Sequence, residues 1–367
     1  MIPIGLIKKN FCIALLISIV AYLSLTPLGN VFVLGDRNRY LASQPSSYSL
    51  FDRTALTDSI FSLSPIVEPL LLFANIYLCL KLCSALTLVF SLSKIQKVLL
   101  YIACFLPFRL LFRSYASKEL LFSLAAEILI ILLVTRPVTI WRQNLSFNIK
   151  ILPSILALAI ISILLLCLLL RPFYAILLFM PILASIPIYR ASRVSRKRFL
   201  AAAVVLSVFI LILLLYTPGS YETLVSFMTA YFLVDGASAS STRIGYQFPS
   251  GITEFILVFL RSSFQSLIGP TYDEIMARPF LVLVSLEGLI LTGLFLWILS
   301  NMYLSPNMKI MSAPLSSAIA LALLYLLFVF YIFSSINYMG GIRYQSASMP
   351  IILYLYSLSC GIKNRVV

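Results

Sequence analysis

The chain has 367 residues, of which 61% are hydrophobic and only 11% are charged. This composition excludes an ordinary soluble domain, in which about 25% of residues are charged. The chain contains no histidine, so the commonest general base and the commonest transition-metal ligand are both absent. The net charge of +15 would suit nucleic acid or an anionic membrane surface, and its distribution along the chain decides between them.

Ten apolar runs are each long enough to cross a bilayer, which takes roughly 20 residues of helix. They predict an all-α polytopic membrane bundle, a single transmembrane domain over residues 1–367, with spans near 11–34, 65–92, 97–112, 119–135, 150–170, 172–189, 199–216, 280–299, 313–334 and 347–361. The first run resembles a signal peptide but lacks a small-residue cleavage site, so we interpret it as a retained helix. Residues 254–269 predict an interfacial or re-entrant helix, because this shorter run carries Arg261.

The basic residues between these runs orient the bundle. If the N-terminus is cytoplasmic, the inner segments carry most of the basic residues and no acidic residue, as the positive-inside rule expects. Both termini are then cytoplasmic, and the two large loops, 35–64 and 217–279, lie outside. We then expect the basic run 190–198 to lie on the cytoplasmic side, bind anionic lipid headgroups and so fix the orientation of the bundle. We expect no nucleic-acid partner, because neither interleaved aromatic residues nor a soluble domain accompanies this run.

Several polar residues lie inside the apolar runs. Lys81, Glu127 and Glu287 are costly to bury in a membrane and should face the bundle interior. A Lys81–Glu127 ion pair is the structural expectation, and a proton or ion pathway is the functional alternative. All six cysteines lie within or at the ends of apolar runs, so no loop offers the pairs of a disulfide framework. We expect them to face lipid or to pack.

The predicted outer side keeps many cations, although topology disfavours them there. These are ten arginines and one lysine: Arg37, Arg39, Arg53, Arg109, Arg113, Lys118, Arg171, Arg243, Arg261, Arg278 and Arg343. Arginine binds phosphate through paired hydrogen bonds, so the set favours a diphosphate ligand. Reaching to lipid headgroups and pairing with neighbouring acids are the alternatives. Arg343 is the strongest candidate, because a Gly-Gly turn ahead of it would admit a ligand and Pro350 would then lie in the first turn of the last helix.

Two carboxylates are candidate bases. Asp36 closely follows the first run and is followed by two cations, Arg37 and Arg39, which should keep it ionised and able to accept a proton from a sugar hydroxyl. Its alternative is a loop salt bridge. Glu119 opens the fourth run, where an acid is also favoured simply by the helix dipole. Asp36, Asp52 or the pair Asp273–Glu274 could hold magnesium, but the arginines already supply positive charge, so we expect no metal or other cofactor.

Four stretches together resemble bacterial polysaccharide repeat-unit polymerases of the O-antigen (Wzy) type, within the GT-C class of membrane glycosyltransferases. They are "GDRNRY" after the first run, "LPFRLLFRSYASKE", "RPFLVLVSLEGLI" at 278–290, and "GGIRYQSASMP" before the last run. The related O-antigen ligases are similar but look to rely on a histidine, which this chain lacks. The resemblance therefore favours the polymerase branch.

The resemblance implies a multi-pass enzyme of the bacterial inner membrane. It would transfer a glycan from undecaprenyl diphosphate to a sugar hydroxyl of another lipid-linked repeat unit on the periplasmic face, with a chain-length regulator as a further partner. Asp36 would be the first-loop carboxylate, with Glu119 as the other candidate. The diphosphate ligands would be Arg113, Arg278 and Arg343, with Arg37, Arg39 and Arg243 completing the substrate-binding set. The alternatives are a polyprenyl-monophosphate-dependent transferase and a lipid-linked oligosaccharide flippase.

The orientation yields the first testable prediction. A reporter fused after Arg190 should lie in the cytoplasm, and the same reporter fused after Ser240 should lie in the periplasm, because the predicted inner segments carry most of the basic residues and no acidic residue. Alkaline phosphatase and a fluorescent protein, which are active on opposite sides of the membrane, measure this directly. The reverse pattern would overturn the assignment of the arginine set to the outer face.

Overall fold

The computed structural model describes residues 4–29, 55–64, 66–113, 115, 117–141, 162–163, 165–166, 253–254, 257, 265–303, 319–320, 322–327, 329–330 and 338–364. These residues form helices and the turns between them, with no strand in the described part of the chain. The all-α class predicted from the apolar runs is confirmed there. The runs predicted at 172–189 and 199–216 lie outside the described residues, as does most of the run at 150–170.

The named helices follow the chain order. They are α1 (Ile4–Gly29), α2 (Ala55–Ser62), α3 (Val67–Val89), α4 (Lys94–Cys104), α5 (Pro107–Phe112), α6 (Lys118–Trp141), α7 (Tyr272–Ala277), α8 (Leu281–Tyr303) and α9 (Tyr338–Asn364). Within the described residues, two segments are long and apolar enough to cross a membrane, Val67–Val89 and Leu281–Asn301. A bilayer takes roughly 20 helical residues, so both meet the length requirement. Ten spans remain a prediction.

The single span predicted over 97–112 is wrong. Helix α4 has only 11 residues and α5 only 6, and each is too short to cross a bilayer. Helix α4 begins with a capping box, in which Ser93 N donates to Gln96 Oε1 at 2.8 Å and Gln96 N donates to Ser93 Oγ at 3.4 Å. It ends before Pro107, because proline lacks an N–H and keeps the preceding residue, Leu106, out of helical geometry.

The start of the last helix also differs from the expectation. Helix α9 begins at Tyr338, so Gly340 and Gly341 lie inside the helix and form no turn ahead of Arg343. Pro350 is correspondingly inside the helix, not in its first turn. The segment 341–361 is buried at every position except the half-buried Arg343. Burial on all sides stabilises this helix by more than the roughly 1 kcal/mol that a helical glycine costs.

The chain divides into two units, and the first contains residues 1–182 and 346–367. Its centre is α3, which packs against both α1 and α6. Asn10 Nδ2 near the start of α1 donates to Ser84 Oγ near the end of α3 at 3.3 Å, so α1 and α3 run antiparallel. The C-terminal part of α9 completes this unit: the rings of Phe90 and Tyr354 lie 6.2 Å apart, edge to face.

The second unit contains residues 183–345 and is organised around the segment 265–271. Gln345 Nε2 from α9 donates to Ser266 O at 2.5 Å and to Leu267 O at 3.3 Å. Gly269 has a φ of +100°, a left-handed conformation that favours glycine. Helix α8 approaches this segment so closely that a Cβ on Gly288 would stand 2.6 Å from Ile268 Cα. The segment therefore holds the beginnings of α8 and α9 together.

Gly288→Ala should destabilise the second unit, because the new methyl group would collide with the backbone of Ile268. Overpacking of this kind costs about 1–3 kcal/mol, which exceeds the gain in helix propensity of roughly 1 kcal/mol. Thermal unfolding of the purified protein in detergent measures the effect. The matched control is Gly293→Ala on the same helix, where an added Cβ would have no heavy atom within 4 Å. Equal unfolding temperatures for the two variants would contradict the close approach.

Candidate functional site

The predicted site residues fall into three groups. Asp36, Arg37, Arg39 and Arg243 lie outside the described residues, so their roles remain predictions. Arg113 and Glu119 belong to the first unit, whereas Arg278 and Arg343 belong to the second. Each unit therefore contributes its own set of candidate side chains.

Arg113 is completely buried in the first unit, although the sequence assigned it to the outer face. It directly follows α5, and its Nη2 donates to Cys104 O at 2.7 Å. Its Nη1 donates to Cys79 Sγ at 3.4 Å and lies 3.7 Å from Glu127 Oε1. Arg113 would have to exchange these partners to bind a diphosphate, so its role as a ligand stays a prediction.

The carboxylate of Glu127 is the centre of this buried region. Its Oε1 accepts hydrogen bonds from Asn75 Nδ2 at 3.2 Å and Ser123 Oγ at 3.3 Å, in addition to the ion pair with Arg113. We call Asn75, Arg113, Ser123 and Glu127 the polar cluster. The predicted ion pair between Lys81 and Glu127 is wrong. No ion pair joins these two described residues, and Glu127 pairs with Arg113 while Lys81 is half-buried on α3. The break before Pro107 instead returns Arg113 to the interior.

The polar cluster retains hydrogen-bonding capacity that the described residues do not use. Three of its buried atoms have no hydrogen-bond partner there: Glu127 Oε2, Asn75 Oδ1 and Arg113 Nε. A buried polar atom left unsatisfied costs about 1–3 kcal/mol. The cluster is therefore held in place by surrounding apolar packing as well as by its own hydrogen bonds.

Glu119 lies in the first turn of α6 and is only 1% exposed. The hydroxyl of Ser117 accepts the hydrogen bond from Leu120 N at 3.1 Å, so a serine provides the cap at this end of the helix. A carboxylate in the first turn is also favoured by the helix dipole. A sugar hydroxyl would reach the Glu119 carboxylate only after a local rearrangement, so the role of Glu119 as a base stays a prediction.

Arg278 and Arg343 are carried by the same end of the second unit. Arg278 directly follows α7, three residues before α8 begins, and Arg343 lies in the second turn of α9. Val284 of α8 and Ile342 of α9 both border Gly269, at 3.8 and 3.9 Å from the position that a Cβ would take there. Since these contacts join the beginnings of α8 and α9, both half-exposed arginines lie near the segment 265–271.

The acids of α7 serve the local structure. Glu274 Oε2 accepts a hydrogen bond from Thr271 N at 2.7 Å, and Thr271 Oγ1 accepts one from Glu274 N at 3.4 Å. These two hydrogen bonds form a capping box. The Glu274 carboxylate, which the sequence analysis named with Asp273 as a possible magnesium ligand, therefore caps the helix. In the described part of the chain, no group of three or more His, Cys, Asp or Glu side chains could hold a metal ion.

No protein-family model, curated protein or solved structure matches the chain. The resemblance to repeat-unit polymerases therefore rests on the four sequence stretches alone.

Sequence reasoning missed the polar cluster for one reason. A straight helix over 97–112 would have carried Arg113 to the outer end of a span, far from Glu127. The signal against this was Pro107, because a proline inside an apolar run predicts a helix boundary at the preceding residue. Once the helix is predicted to break before Pro107, Arg113 becomes a candidate partner for the buried carboxylate of Glu127.

Glu127→Gln should strongly destabilise the protein, because it leaves the buried Arg113 without its ion-pair partner. Breaking a buried pair typically costs about 3–5 kcal/mol, whereas replacing both charges by neutral side chains is often tolerated. We therefore expect a lower unfolding temperature for Glu127→Gln and for Arg113→Met, and a substantial recovery in the double variant.

Thermal unfolding of all four proteins in the same detergent forms a double-mutant cycle, which isolates the coupling between the two side chains. Additive effects would show that the pair contributes no coupling. A stable Arg113→Met protein that loses activity would instead assign Arg113 to substrate binding.

Proposed function

We propose that the chain is a multi-pass protein of a bacterial inner membrane that polymerises lipid-linked oligosaccharide repeat units. It transfers a growing glycan from undecaprenyl diphosphate to a sugar hydroxyl of another repeat unit on the periplasmic face. The composition and the two helices long enough to span a membrane support the location. The resemblance of the four stretches and the arginine chemistry support the reaction.

One observation carries this proposal: Arg278 and Arg343 lie near the segment that joins the beginnings of α8 and α9. Helix α8 contains the spanning segment Leu281–Asn301, and Arg278 precedes that segment by three residues. In the predicted orientation, this end of α8 faces the periplasm. The two guanidinium groups are therefore suited to a diphosphate whose isoprenoid chain is anchored in the membrane, because arginine binds phosphate oxygens in pairs.

The reaction requires no cofactor in this proposal. Negative charge grows on the diphosphate as the glycosidic bond breaks, and a positioned guanidinium stabilises that charge more in the transition state than in the ground state. A carboxylate accepts the proton of the attacking hydroxyl, and Asp36 is the candidate because Glu119 is buried. Arg37, Arg39 and Arg243 would contact the remaining phosphate and sugar oxygens.

A specific observation favours the flippase as the second candidate. The polar cluster places an arginine and a carboxylate in the interior of the first unit, and buried charges in membrane helices often mark a transport pathway. The two candidates differ in what a loss-of-function strain accumulates. Loss of a polymerase leaves surface polysaccharide with one repeat unit, whereas loss of a flippase leaves the lipid-linked unit on the cytoplasmic side.

Arg343→Lys and Arg278→Lys should each lower the polymerisation rate by about a hundredfold, because lysine keeps the charge but loses the paired hydrogen bonds to a diphosphate. Gel electrophoresis of surface polysaccharide should show a single repeat unit in place of a long ladder. The control is Arg142→Lys, the same substitution at an arginine that the sequence assigns to the cytoplasmic face.

Immunoblots of the membrane fraction establish that all three proteins are present in equal amounts. A normal ladder in both Arg278→Lys and Arg343→Lys would refute the diphosphate role of these arginines. Accumulation of the lipid-linked repeat unit on the cytoplasmic side of the membrane in these variants would favour the flippase.

A further inference from the structure

Cysteine side chains meet in the interior of the first unit, next to the polar cluster. Cys79 Sγ on α3 lies 2.9 Å from Cys104 Sγ at the end of α4, and neither residue is more than 1% exposed. Cys83, one turn further along α3, is buried beside them and also interacts with the Cys104 thiol. The sequence expectation of lipid-facing or packing cysteines did not foresee this arrangement, because 24 residues separate Cys79 from Cys104.

The two sulfur atoms of Cys79 and Cys104 are close to bonding distance. A disulfide bond is about 2.05 Å long, so the sulfurs need to approach each other by less than roughly 1 Å. Cys104 is the last residue of α4 and is followed by the break before Pro107. The end of a short helix adjusts its backbone more easily than the middle of a long one, so this small movement is accessible.

We propose that Cys79 and Cys104 form a redox-active pair that is oxidised to a disulfide by a lipophilic quinone. Each thiol gives up its proton, and the pair gives up two electrons as the bond between the sulfurs forms. The quinone accepts the two protons and two electrons and leaves as the hydroquinone. Reduction by a hydroquinone or a dithiol reverses the reaction.

Burial and location favour this class of oxidant. A water-soluble disulfide would need direct access to a sulfur atom, and both sulfurs are enclosed by the helices of the first unit. The helices enclose the sulfurs on their apolar side as well, so oxidation needs a local opening, which a quinone dissolved in the bilayer can enter from that side. This step rests on the membrane location proposed above but not on the polymerase reaction.

Of the two sulfurs, Cys79 Sγ is the one that a guanidinium group contacts. Arg113 Nη1 donates to this sulfur at 3.4 Å. The same guanidinium donates through Nη2 to Cys104 O at 2.7 Å, so one arginine contacts both members of the pair. Formation of the disulfide would therefore tie α3 to the end of α4 and change the environment of Arg113.

The test uses the purified full chain in detergent, before and after treatment with a short-chain benzoquinone. Free thiols are then alkylated under denaturing conditions, and the protein is analysed by mass spectrometry. We expect the loss of two alkylatable thiols and a peptide pair linked through Cys79 and Cys104. A dithiol should restore both thiols. The oxidised protein should also unfold at a higher temperature, because the bond constrains the unfolded chain.

Single cysteine-to-serine variants show which two cysteines form the disulfide bond. Cys12→Ser and Cys83→Ser should still lose two thiols, because neither residue belongs to the pair and Cys12 is exposed. Cys79→Ser and Cys104→Ser should lose none. The map of linked peptides from the unmodified chain decides the question even if a serine variant fails to fold.

Three outcomes would overturn the proposal: a bond from Cys104 to Cys83, covalent addition of the quinone without a sulfur–sulfur bond, or no change in the thiols. None of these measurements uses a glycan substrate, so failure of the cysteine proposal and failure of the polymerase proposal are distinguishable.

Discussion

The organisation of the first unit depends on the burial of a charged pair in an apolar interior. Arg113 and Glu127 are both fully enclosed, and a charge removed from water is tolerated only with a partner and satisfied hydrogen bonds. This requirement fixes the order of the neighbouring elements. Helix α4 must stop, the chain must turn at Pro107, and α5 must return Arg113 to the space between α3 and α6. Asn75, Ser123 and the carbonyl of Cys104 supply further hydrogen bonds, which leave Glu127 Oε2 and Arg113 Nε without a partner among the described residues.

The second unit is held together by a different constraint. Its centre is a close backbone approach between Gly288 and Ile268, with side-chain amides satisfying the carbonyl groups of the segment. Gln345 Nε2 donates to Ser266 O and Leu267 O, and Gln265 Nε2 donates to Gly269 O and Pro270 O. Buried carbonyl groups outside a helix need such partners. The first unit is therefore organised around a buried ion pair. The second unit is organised around the close backbone approach that Gly288 permits and around the hydrogen bonds of Gln265 and Gln345.

The sequence predicts the long helices well, and it predicts poorly what depends on contacts between distant residues. Helices α3 and α8 follow from continuous apolar runs, because length and hydropathy are local properties. The run over 97–112 looks equally apolar whether it is one helix or two, and only Pro107 indicates the break. The Gly-Gly turn before Arg343 was inferred from local propensity, and burial along α9 overrides that propensity. The meeting of Cys79 with Cys104 has no sequence motif, because their proximity follows from the packing of α4 on α3.

The participation of α9 in the first unit has a consequence for biosynthesis. Tyr354 and Tyr356 cover Phe90 and the carbonyl of Gln96, yet they are translated only after all of the second unit. The growing polypeptide must therefore carry an incomplete N-terminal unit through the synthesis of more than 160 residues, 183–345. Partly assembled intermediates that expose apolar surface are vulnerable to aggregation and degradation. The apolar surface around Phe90 is thus covered only after α9 has been synthesised, so a chain that lacks α9 would leave this part of the first unit exposed.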